Sequence, residues 1–457
     1  MRELTCDVAI VGAGPAGLAA AAAARAQGAD ALVIDEHPEA GGQIWRASYA
    51  RGLHEQARKW LERARGARFL HGAAVYDAAP QGPAPQGHGE RAPRPAAPPA
   101  PHALSVWQRA GGAGEVAGAA TVHASRVVLA LGATERFLPF PGWTLPGVVG
   151  VGGLQALMKG GLALRGARAE GRRVLVAGSG PLLLAVAAAL VEAGAHVVAV
   201  AEQAPRSAVL RLGLGLVAWP AKLAQGAALT ARLRGVPVLH DAWVTRVEGA
   251  GRLTRAYVSH AGRARAFDVD LVACGFGLVP TTQLGELIGC ARAGEGLAVD
   301  EDLATSVPRV YAAGETTGIG GVDAALAEGA LAGLAAAGAD ARVLAPARAR
   351  VARQRRFAAK LARAYALRPE LRALASDDTL ICRCEDVALG AVRGFTDARS
   401  AKLATRCGMG ACQARVCGAA LECVLGWPRE APRPPLFPVP FAALAASPSG
   451  TPREPVA

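Results

Sequence analysis

The fold is decided by residues 7–43, which read DVAIVGAGPAGLAAAAAARAQGADALVIDEHPEAGGQ. The apolar run Val8 to Val11 predicts a buried strand, and it leads into the spacing Gly12-x-Gly14-x-x-Gly17. Gly12 permits a tight turn, Gly14 lets the backbone approach a pyrophosphate, and Gly17 lets a helix pack closely on the strand. The stretch therefore predicts a dinucleotide cradle in which the phosphates lie at a helix N-terminus.

A second apolar strand, Ala31 to Ile34, ends in Asp35. A carboxylate at this position of a strand-helix-strand unit can accept hydrogen bonds from ribose hydroxyls. In the following loop, Gly41 to Arg46, small residues allow the backbone to pass close to a bound ring system. The residues expected to contact the dinucleotide at this first cradle are Gly12, Gly14, Pro15, Ala16, Gly17, Asp35, Glu36, Gly42 and Gln43.

A second cradle of the same type is predicted further along the chain. The strand Arg173 to Ala177 leads into Gly178-x-Gly180, and a later strand ends in the acid Glu202. Leu183 replaces the third glycine, which weakens the expected contact between helix and strand. Two interpretations therefore remain open, a bound NAD(P) or other adenine nucleotide and a Rossmann domain that has lost its ligand. If a nucleotide binds, Glu202 favours an unphosphorylated ribose because a carboxylate repels a 2′-phosphate.

Two more glycine turns follow apolar strands. The segment Arg126 to Glu135 turns at Gly132, and the segment Val307 to Ala313 runs into Gly314-Glu315. A Gly-Glu pair after a strand is often only a turn. Downstream of two cradles, it resembles the flavin clamp of two-dinucleotide-domain flavoproteins, in which the acid binds the ribityl chain. A helix expected to begin at Val322 would then direct its positive end at the flavin and favour the anionic reduced form.

The cysteines are concentrated near the C-terminus. Six of the nine lie between residues 382 and 423, with the spacing Cys382-x-Cys384-x22-Cys407-x4-Cys412. Four thiolates suit zinc or an iron-sulfur cluster, but a zinc ribbon normally uses C-x2-C knuckles, so the C-x-C pair favours [2Fe-2S]. Cys412 is expected to begin a helix that carries Cys417 out of reach. Cys417 and Cys423 are therefore expected to be buried packing residues on that helix.

The negative charge of such a cluster needs compensation. Arg383, Arg406 and Arg415 are close in sequence and are expected to supply it.

Composition excludes several classes of protein. The chain is 52% hydrophobic, which is too apolar for disorder and sufficient for two or three cored domains. Its net charge is +13, but no basic run is interleaved with aromatic residues, so we expect no nucleic-acid partner and at most an acidic protein partner. No signal peptide and no apolar run of membrane-spanning length are recognised, which predicts a cytoplasmic protein.

These motifs predict an α/β fold with two Rossmann-like dinucleotide-binding domains and a small C-terminal helical [2Fe-2S] domain. A Pro-rich insertion at 80–101 is expected to interrupt a strand meander without contributing chemistry. The expected boundaries are 1–140 and 286–345 for the FAD-binding domain, 141–285 for the second nucleotide domain, 346–375 for a helical linker, 376–427 for the cysteine domain and 428–457 for a Pro-rich tail.

The motifs resemble those of the flavoprotein A (alpha) subunits of opine oxidases, D-hydroxyproline dehydrogenases and hydrogen cyanide synthase. The resemblance covers nearly the whole chain and rests on GAGPAGLAAA at 12–21, DEHPEAGGQIWR at 35–46, ERFLPFPGWTLPGV at 135–148, GSGPLLLAVAAAL at 178–190, AAGETTGIGGVDAALAEG at 312–329, and CRCEDV with TRCGMGACQARVC. The cysteine segment resembles bacterioferritin-associated ferredoxin. Leu183 fits the family pattern, whereas Leu131 and Ala411 stand where Thr and Pro are more usual.

The resemblance implies a subunit that binds FAD and a [2Fe-2S] cluster and works with a second, amine-oxidising flavoprotein subunit, the beta subunit. A small ferredoxin-like subunit is a further candidate partner. The beta subunit would oxidise the C-N bond of an amino or imino acid, and no catalytic acid or base can be assigned in this chain. Two alternatives remain, a self-sufficient NAD(P)H-dependent reductase and an iron-sulfur sensor. The thiol-disulfide version of the reductase is disfavoured because neither dinucleotide domain contains a redox C-x2-C or C-x4-C pair.

Overall fold

The computed structural model describes residues 2–46, 52–79, 102–109, 118–159 and 171–445. The strands, in chain order, are β1 Arg2–Val11, β2 Ala31–Ile34, β3 Arg68–Leu70, β4 Ala73–Ala79, β5 His102–Gln108, β6 Gly118–Leu129, β7 Ala133–Glu135, β8 Val148–Gly150, β9 Arg173–Gly178, β10 His196–Glu202, β11 Val238–His240, β12 Ala242–Glu248, β13 Arg255–His260, β14 Arg263–Asp268, β15 Leu271–Gly275, β16 Leu278–Pro280, β17 Arg292–Ala293, β18 Gly296–Leu297, β19 Val310–Ala312, β20 Leu380–Cys382 and β21 Val387–Ala388.

The α-helices are α1 Pro15–Ala26, α2 Glu55–Arg63, α3 Val151–Lys159, α4 Leu182–Glu192, α5 Arg206–Gly215, α6 Pro220–Arg232, α7 Gln283–Ile288, α8 Val322–Ala336, α9 Ala341–Ala364, α10 Leu389–Val392, α11 Ala398–Thr405, α12 Cys417–Leu425 and α13 Phe441–Ala445. Among the described residues, no helix is long and apolar enough to cross a membrane.

The chain forms two compact units. The first contains residues 1–133, 280–356 and 431–457. Its sheet has the order β3-β2-β1-β6-β5-β4, and β19 also pairs with β6. The strands β3, β2, β1, β6 and β19 run parallel, and β5 pairs antiparallel with both of its neighbours, β6 and β4. The predicted strand meander is therefore present, and the Pro-rich insertion between β4 and β5 lies outside the described residues.

Small residues let α1 lie close to α8 in this unit. A Cβ at Gly329 would lie 2.0 Å from the carbonyl oxygen of Ala16, and a Cβ at Gly333 would lie 2.3 Å from that of Ala20. Any side chain at these two positions would push the helices apart. The alanine and glycine content of both helices therefore reflects close packing beneath the first cradle.

The second unit contains residues 134–279 and 357–430. Its parallel sheet has the order β11-β10-β9-β15-β8, and a separate antiparallel sheet has the order β12-β13-β14. Leu183 is fully buried in its apolar core, so the residue that replaces the third glycine is a packing residue. The α/β fold with two Rossmann-type sheets is confirmed. The domain boundaries stay predictions. The cysteine module, residues 376–427, belongs to the second unit together with β9 and β10.

The expected helix start at Cys412 is wrong. The helix α12 begins at Cys417, and residues 411–416 form turns. Gln413 and Ala414 have φ angles of +50° and +59°. A right-handed helix requires negative φ angles, so the chain cannot be helical from Cys412 to Cys417.

Candidate flavin, nucleotide and thiol sites

The three glycines of the first cradle have different structural surroundings. A Cβ at Gly12 would lie 2.3 Å from the carbonyl oxygen of Ala130, and one at Gly17 would lie 1.7 Å from that of Gly12. These two glycines are therefore required by the packing of the protein itself. Gly14 has an ordinary φ of −73°, and its Cβ would meet nothing nearer than the Cα of Gly42 at 3.9 Å. The open space at Gly14 fits the approach of a pyrophosphate.

Asp35 closes the other side of the cradle. It is buried and accepts hydrogen bonds from the backbone N-H groups of Ala13 and His37, the latter at 2.8 Å. Burial acts to raise the pKa of Asp35, but hydrogen bonds from the His37 ring and from the two N-H groups outweigh it and lower the pKa. A lowered pKa keeps the carboxylate ionised, as ribose recognition requires.

His37 and Arg46 extend this network and were not among the predicted site residues. The ring Nδ1 of His37 lies 3.2 Å from Asp35 Oδ1, and Arg46 Nη2 lies 3.1 Å from His37 Nε2. Arg46 also donates to Gln43 at 2.7 Å. The hydrogen bond with Asp35 raises the pKa of His37. Both residues lie inside the family motif at 35–46, which was the only sequence signal for them.

The remaining residues predicted for the first cradle, and Gly132 of the later glycine turn, have simpler positions. Pro15 begins α1, and Ala16 is buried with its backbone against α8. Glu36 is exposed. Gly132 has a φ of +71° and forms the turn after β6.

The predicted flavin clamp is a turn that ends at a helix N-terminus. Gly314–Thr316 forms one turn of 3-10 helix, and α8 begins at Val322, as expected. Glu315 is half-buried, and burial raises the pKa of its carboxyl group, although the N-H of Gly321 donates to it. Thr316 Oγ1 accepts a hydrogen bond of 2.9 Å from the backbone N-H of Leu131. A desolvated carboxyl group beside a 15-residue helix fits the ribityl and pyrimidine parts of a flavin.

Glu328, on α8, holds this turn in place and is not among the residues predicted from the sequence. Its Oε2 accepts from the N-H of Gly314 at 3.0 Å and from the hydroxyl of Thr317 at 2.7 Å. Its Oε1 lies 2.9 Å from Arg355 Nε. A Cβ at Gly314 would lie 2.8 Å from the Cβ of Ala16. The structure therefore brings the predicted clamp against the start of α1.

The second cradle has a different hydrogen-bond pattern. Gly178 is required by packing, since its Cβ would lie 1.7 Å from the carbonyl oxygen of Gly275. Glu202 is buried and accepts from the N-H groups of Gly180 at 2.7 Å and Ala204 at 2.8 Å. Burial raises the pKa of Glu202 to about 7, although these N-H groups oppose the shift. The predicted acid therefore binds its own phosphate loop.

Three cysteines are gathered into one buried group. The Sγ atoms of Cys382, Cys407 and Cys417 all lie within 4.8 Å of one another, and all three residues are buried. The backbone N-H of Gly408 donates to Cys382 Sγ at 3.5 Å. Buried thiolates with an N-H donor fit the donor set of an iron-sulfur cluster. Cys417 was excluded as a ligand because a helix was expected to begin at Cys412, and no helix begins there.

The remaining cysteines of the module lie nearer the surface. Cys384 is exposed and Cys412 half-buried. A Cβ at Gly410 would lie 2.2 Å from the Cβ of Cys384, so this glycine makes room for Cys384 beside the loop that leads to Cys412. Cys423 packs against the core of the second unit, in keeping with its expected packing role.

One of the three arginines expected to compensate the charge of the cluster already forms an ion pair with a carboxylate. Arg406 pairs with Glu385 at 2.8 Å. Arg383 and Arg415 are exposed.

Together, the two Rossmann-type sheets, the glycine cradles and the acidic turn before α8 define a flavin-dependent oxidoreductase. Residues 6–329 match the family model described as pyridine nucleotide-disulphide oxidoreductase, and the chain belongs to this family. It is 32% identical to hydrogen cyanide synthase subunit HcnB of Pseudomonas aeruginosa, over 95% of this chain and 97% of the relative. It is 30% identical to the A subunit of opine oxidase from Rhizobium meliloti, over 96% of this chain and 98% of the relative. The resemblance inferred from the motifs is thereby confirmed.

Solved structures support the fold. L-proline dehydrogenase from P. horikoshii matches with a TM-score of 0.64 and 21% identity, covering 97% of this chain and 80% of that one. Thioredoxin reductase from T. acidophilum matches with a TM-score of 0.53 and 22% identity, covering 73% of this chain and 98% of that one.

Proposed function

We propose that this chain is the FAD and [2Fe-2S] electron-transfer subunit of a heteromeric dehydrogenase or oxidase that oxidises the C-N bond of an amino or imino acid. The observation that carries the proposal is the combination, in one chain, of a flavin-type cradle and clamp with a buried group of three thiols. Relatives that match nearly the whole chain are named as subunits of opine oxidase and hydrogen cyanide synthase, which supports a heteromer.

In this proposal the first cradle holds FAD. Gly14 provides space at the pyrophosphate, Asp35 binds the ribose, and Glu315 binds the ribityl chain. The N-terminus of α8 stabilises negative charge on the reduced ring. When bound, FAD accepts electrons in pairs and releases them singly, which suits transfer to a one-electron carrier. The protein contributes position and electrostatics, and the described residues contain no assigned acid or base for C-N oxidation.

The thiol group is proposed to hold the cluster. Cys382, Cys384, Cys407 and Cys412 stay the ligands proposed from the spacing. The position of Cys417 makes it a fifth candidate, because its sulfur lies beside those of Cys382 and Cys407. The cluster would carry single electrons to or from the flavin.

The proposed partner is an FAD-dependent amine-oxidising subunit in a cytoplasmic complex, and a further proposed partner is a small ferredoxin-like subunit. Co-expression with the adjacent flavoprotein gene, followed by dye-reduction assays on opines, proline derivatives and glycine, tests this directly. We expect substrate-dependent dye reduction by the complex and little by the isolated chain. Robust amine oxidation by the pure, isolated chain would contradict the proposal.

A second candidate is a self-sufficient NAD(P)H-dependent reductase. It is favoured by one observation, the open space around Gly180, where a Cβ would have no heavy atom within 4 Å. The described residues of the dinucleotide domains contain three cysteines, Cys6, Cys274 and Cys290, and their wide spacing in sequence forms no redox C-x2-C or C-x4-C pair. Anaerobic addition of NADH separates the candidates, since rapid bleaching of the flavin indicates a reductase.

A further inference from the structure

A short connector, residues 365–368, joins α9 to the cysteine module and lies directly on the second cradle. Ser179 Oγ, inside the phosphate loop, donates to the carbonyl oxygen of Tyr365 at 3.1 Å. Gln203 Nε2 donates to the carbonyl oxygen of Ala366 at 3.1 Å. Gln203 Oε1 accepts from the backbone N-H of Arg368 at 3.2 Å. The cradle thus forms hydrogen bonds with both carbonyl and N-H groups of the connector backbone.

The two cradle residues stand where a dinucleotide would be recognised. Ser179 lies between the two glycines that approach the pyrophosphate, and Gln203 follows the strand-end acid that would face the ribose. Gln203 also donates to Ser179 Oγ at 2.9 Å, which ties the two positions together. Gln203 is fully buried and Ser179 nearly so. Their polar atoms are therefore used within the protein.

The amide groups of the phosphate loop are also used internally. The N-H of Ser179 donates to Gly275 O at 2.8 Å, and the N-H of Gly180 donates to Glu202 at 2.7 Å. Pro181 has no N-H. In the first cradle, by contrast, Asp35 accepts from Ala13, the residue before the second glycine. A phosphate at Gly180 would find space, but it would meet the Glu202 carboxyl group in place of a free amide.

The far end of the connector is fixed by charge and stacking. The guanidinium of Arg368 pairs with Asp241 and, at 3.0 Å, with Glu370. It also lies 4.8 Å from the ring centre of Trp243. An arginine that is both paired and stacked loses little freedom on forming each contact, so it is an effective anchor.

Beyond the connector, the cysteine module shares the apolar core of the second unit. Leu371, just beyond the connector, is buried in the cluster that contains Trp143, Trp243 and Phe276, and Cys423 of the module packs against the same cluster. Trp143 Nε1 donates to the carbonyl oxygen of Leu380, at the start of β20, at 2.7 Å. The connector is therefore one part of a continuous contact between the module and the second Rossmann sheet.

We propose that the second cradle takes no nucleotide and instead holds the connector, so that the second Rossmann domain is the platform that fixes the cysteine module. Ser179 and Gln203 are positioning residues in this assignment. It is independent of the substrate, of the partner and of the metal in the thiol group. It accounts for a strand, helix and glycines of the nucleotide-binding type in which the loop N-H groups donate to the protein itself.

The first test is nucleotide binding by the intact, cofactor-loaded chain. Calorimetric titrations with NADH, NADPH and ADP should show no saturable binding to the second cradle at concentrations up to about 1 mM, the upper range of ordinary substrate constants. Saturable binding that persists in Gly14→Val, in which the first cradle is blocked, would place a nucleotide at the second cradle and overturn the proposal. This test does not depend on the folding of a connector variant.

The second test is cleavage of the connector, because chymotrypsin cuts after Tyr365 and Leu367. In the double variant Ser179→Ala/Gln203→Ala, the connector loses its hydrogen bonds to the cradle. We expect the release of the C-terminal fragment to be at least about tenfold faster than in wild type. The matched control is Ser207→Ala/Gln225→Ala, which changes the same residue types at exposed positions of α5 and α6.

Equal cleavage rates in the double variant, the control and wild type would show that the cradle does not hold the connector. A thermal melt with a single transition verifies that the double variant is folded. If it is not, the single variant Ser179→Ala is tested instead, since it removes the hydrogen bond to the carbonyl oxygen of Tyr365 and leaves Gln203 in place.

Discussion

Glu202 should make the stability of the protein depend on pH. Burial raises its pKa from an ordinary 4.5 to about 7 in the folded state. The folded protein therefore holds a proton that the unfolded chain releases, so the contribution is present below pH 4.5 and is lost as pH rises through 7. At about 1.4 kcal/mol per unit of pKa, the loss is on the order of 3 kcal/mol.

The measurement is the difference in free energy of unfolding between wild type and Glu202→Gln, which cannot ionise. We expect wild type to lose stability relative to the variant between pH 5 and pH 8. Taking the difference cancels the titration of other carboxyl groups. A difference that stays flat over this range would show that Glu202 keeps an ordinary pKa.

Glu328 should control both the stability of the flavin turn and the retention of FAD. Glu328→Ala leaves the N-H of Gly314 without its acceptor and removes one of the two acceptors of the Thr317 hydroxyl, the other being the carbonyl oxygen of Gly314. Arg355 is 43% exposed, so water can solvate it after its partner is removed. We therefore expect the free energy of unfolding to fall by about 2 kcal/mol, less than the loss for a fully buried pair. FAD content after gel filtration and Tm are the readouts, with the exposed Glu301→Ala as the control. Unchanged FAD retention in Glu328→Ala would show that the hydrogen bonds of Glu328 are not needed for flavin binding.

At the scale of the elements, Gly14→Val is a sharp test of the first cradle. Gly14 has negative φ and open space around its Cβ position, so valine fits the folded protein. The isopropyl group would occupy the space assigned to pyrophosphate, so we expect folded protein without FAD. Gly226→Val, on α6, adds the same side chain at a glycine that also has open space. Full FAD content in Gly14→Val would show that this cradle is misassigned.

Elements that depend on residues close together in sequence could be predicted, whereas contacts between residues far apart in sequence could not. The turn from β1 to α1 and the start of α8 at Val322 follow from residues within a few positions of one another. The left-handed Gln413 and Ala414 have no such signal, because neither is a glycine, and the helix start was consequently misplaced. Glu328 and Gln203 act on residues 14 and 163 positions away, which no local pattern reveals.

The cysteine module gives the second element-scale prediction. Cys417→Ser should lower iron content and weaken the visible cluster bands as strongly as Cys382→Ser, because the two sulfurs lie within 4.8 Å of each other. Cys423→Ser is the matched control, since Cys423 packs against the core of the second unit. Iron analysis and electron paramagnetic resonance of dithionite-reduced protein measure both effects. A normal signal in Cys417→Ser would return the ligand set to the four predicted residues, and stoichiometric zinc without iron would remove the redox role.

At the scale of the whole molecule, the net charge of +13 bears on how the chain meets its proposed partner. Charges of one sign speed encounter with a partner of the other sign, and salt screens this attraction over about 10 Å at 0.1 M. An acidic partner should therefore associate rapidly at low ionic strength. The dissociation rate of the formed complex should change less, because short-range packing at the interface is not screened.

The association rate of the two subunits, measured by stopped-flow mixing, should fall at least about tenfold between about 0.05 M and 0.5 M salt, with a smaller change in the dissociation rate. The charge-reversal pair Arg211→Glu and Lys222→Glu, on α5 and α6, should lower the rate at low salt and flatten its salt dependence. Its control, Arg211→Lys, keeps the charge and should behave as wild type. An association rate that is independent of salt would show that the net positive charge of the chain plays no part in assembly.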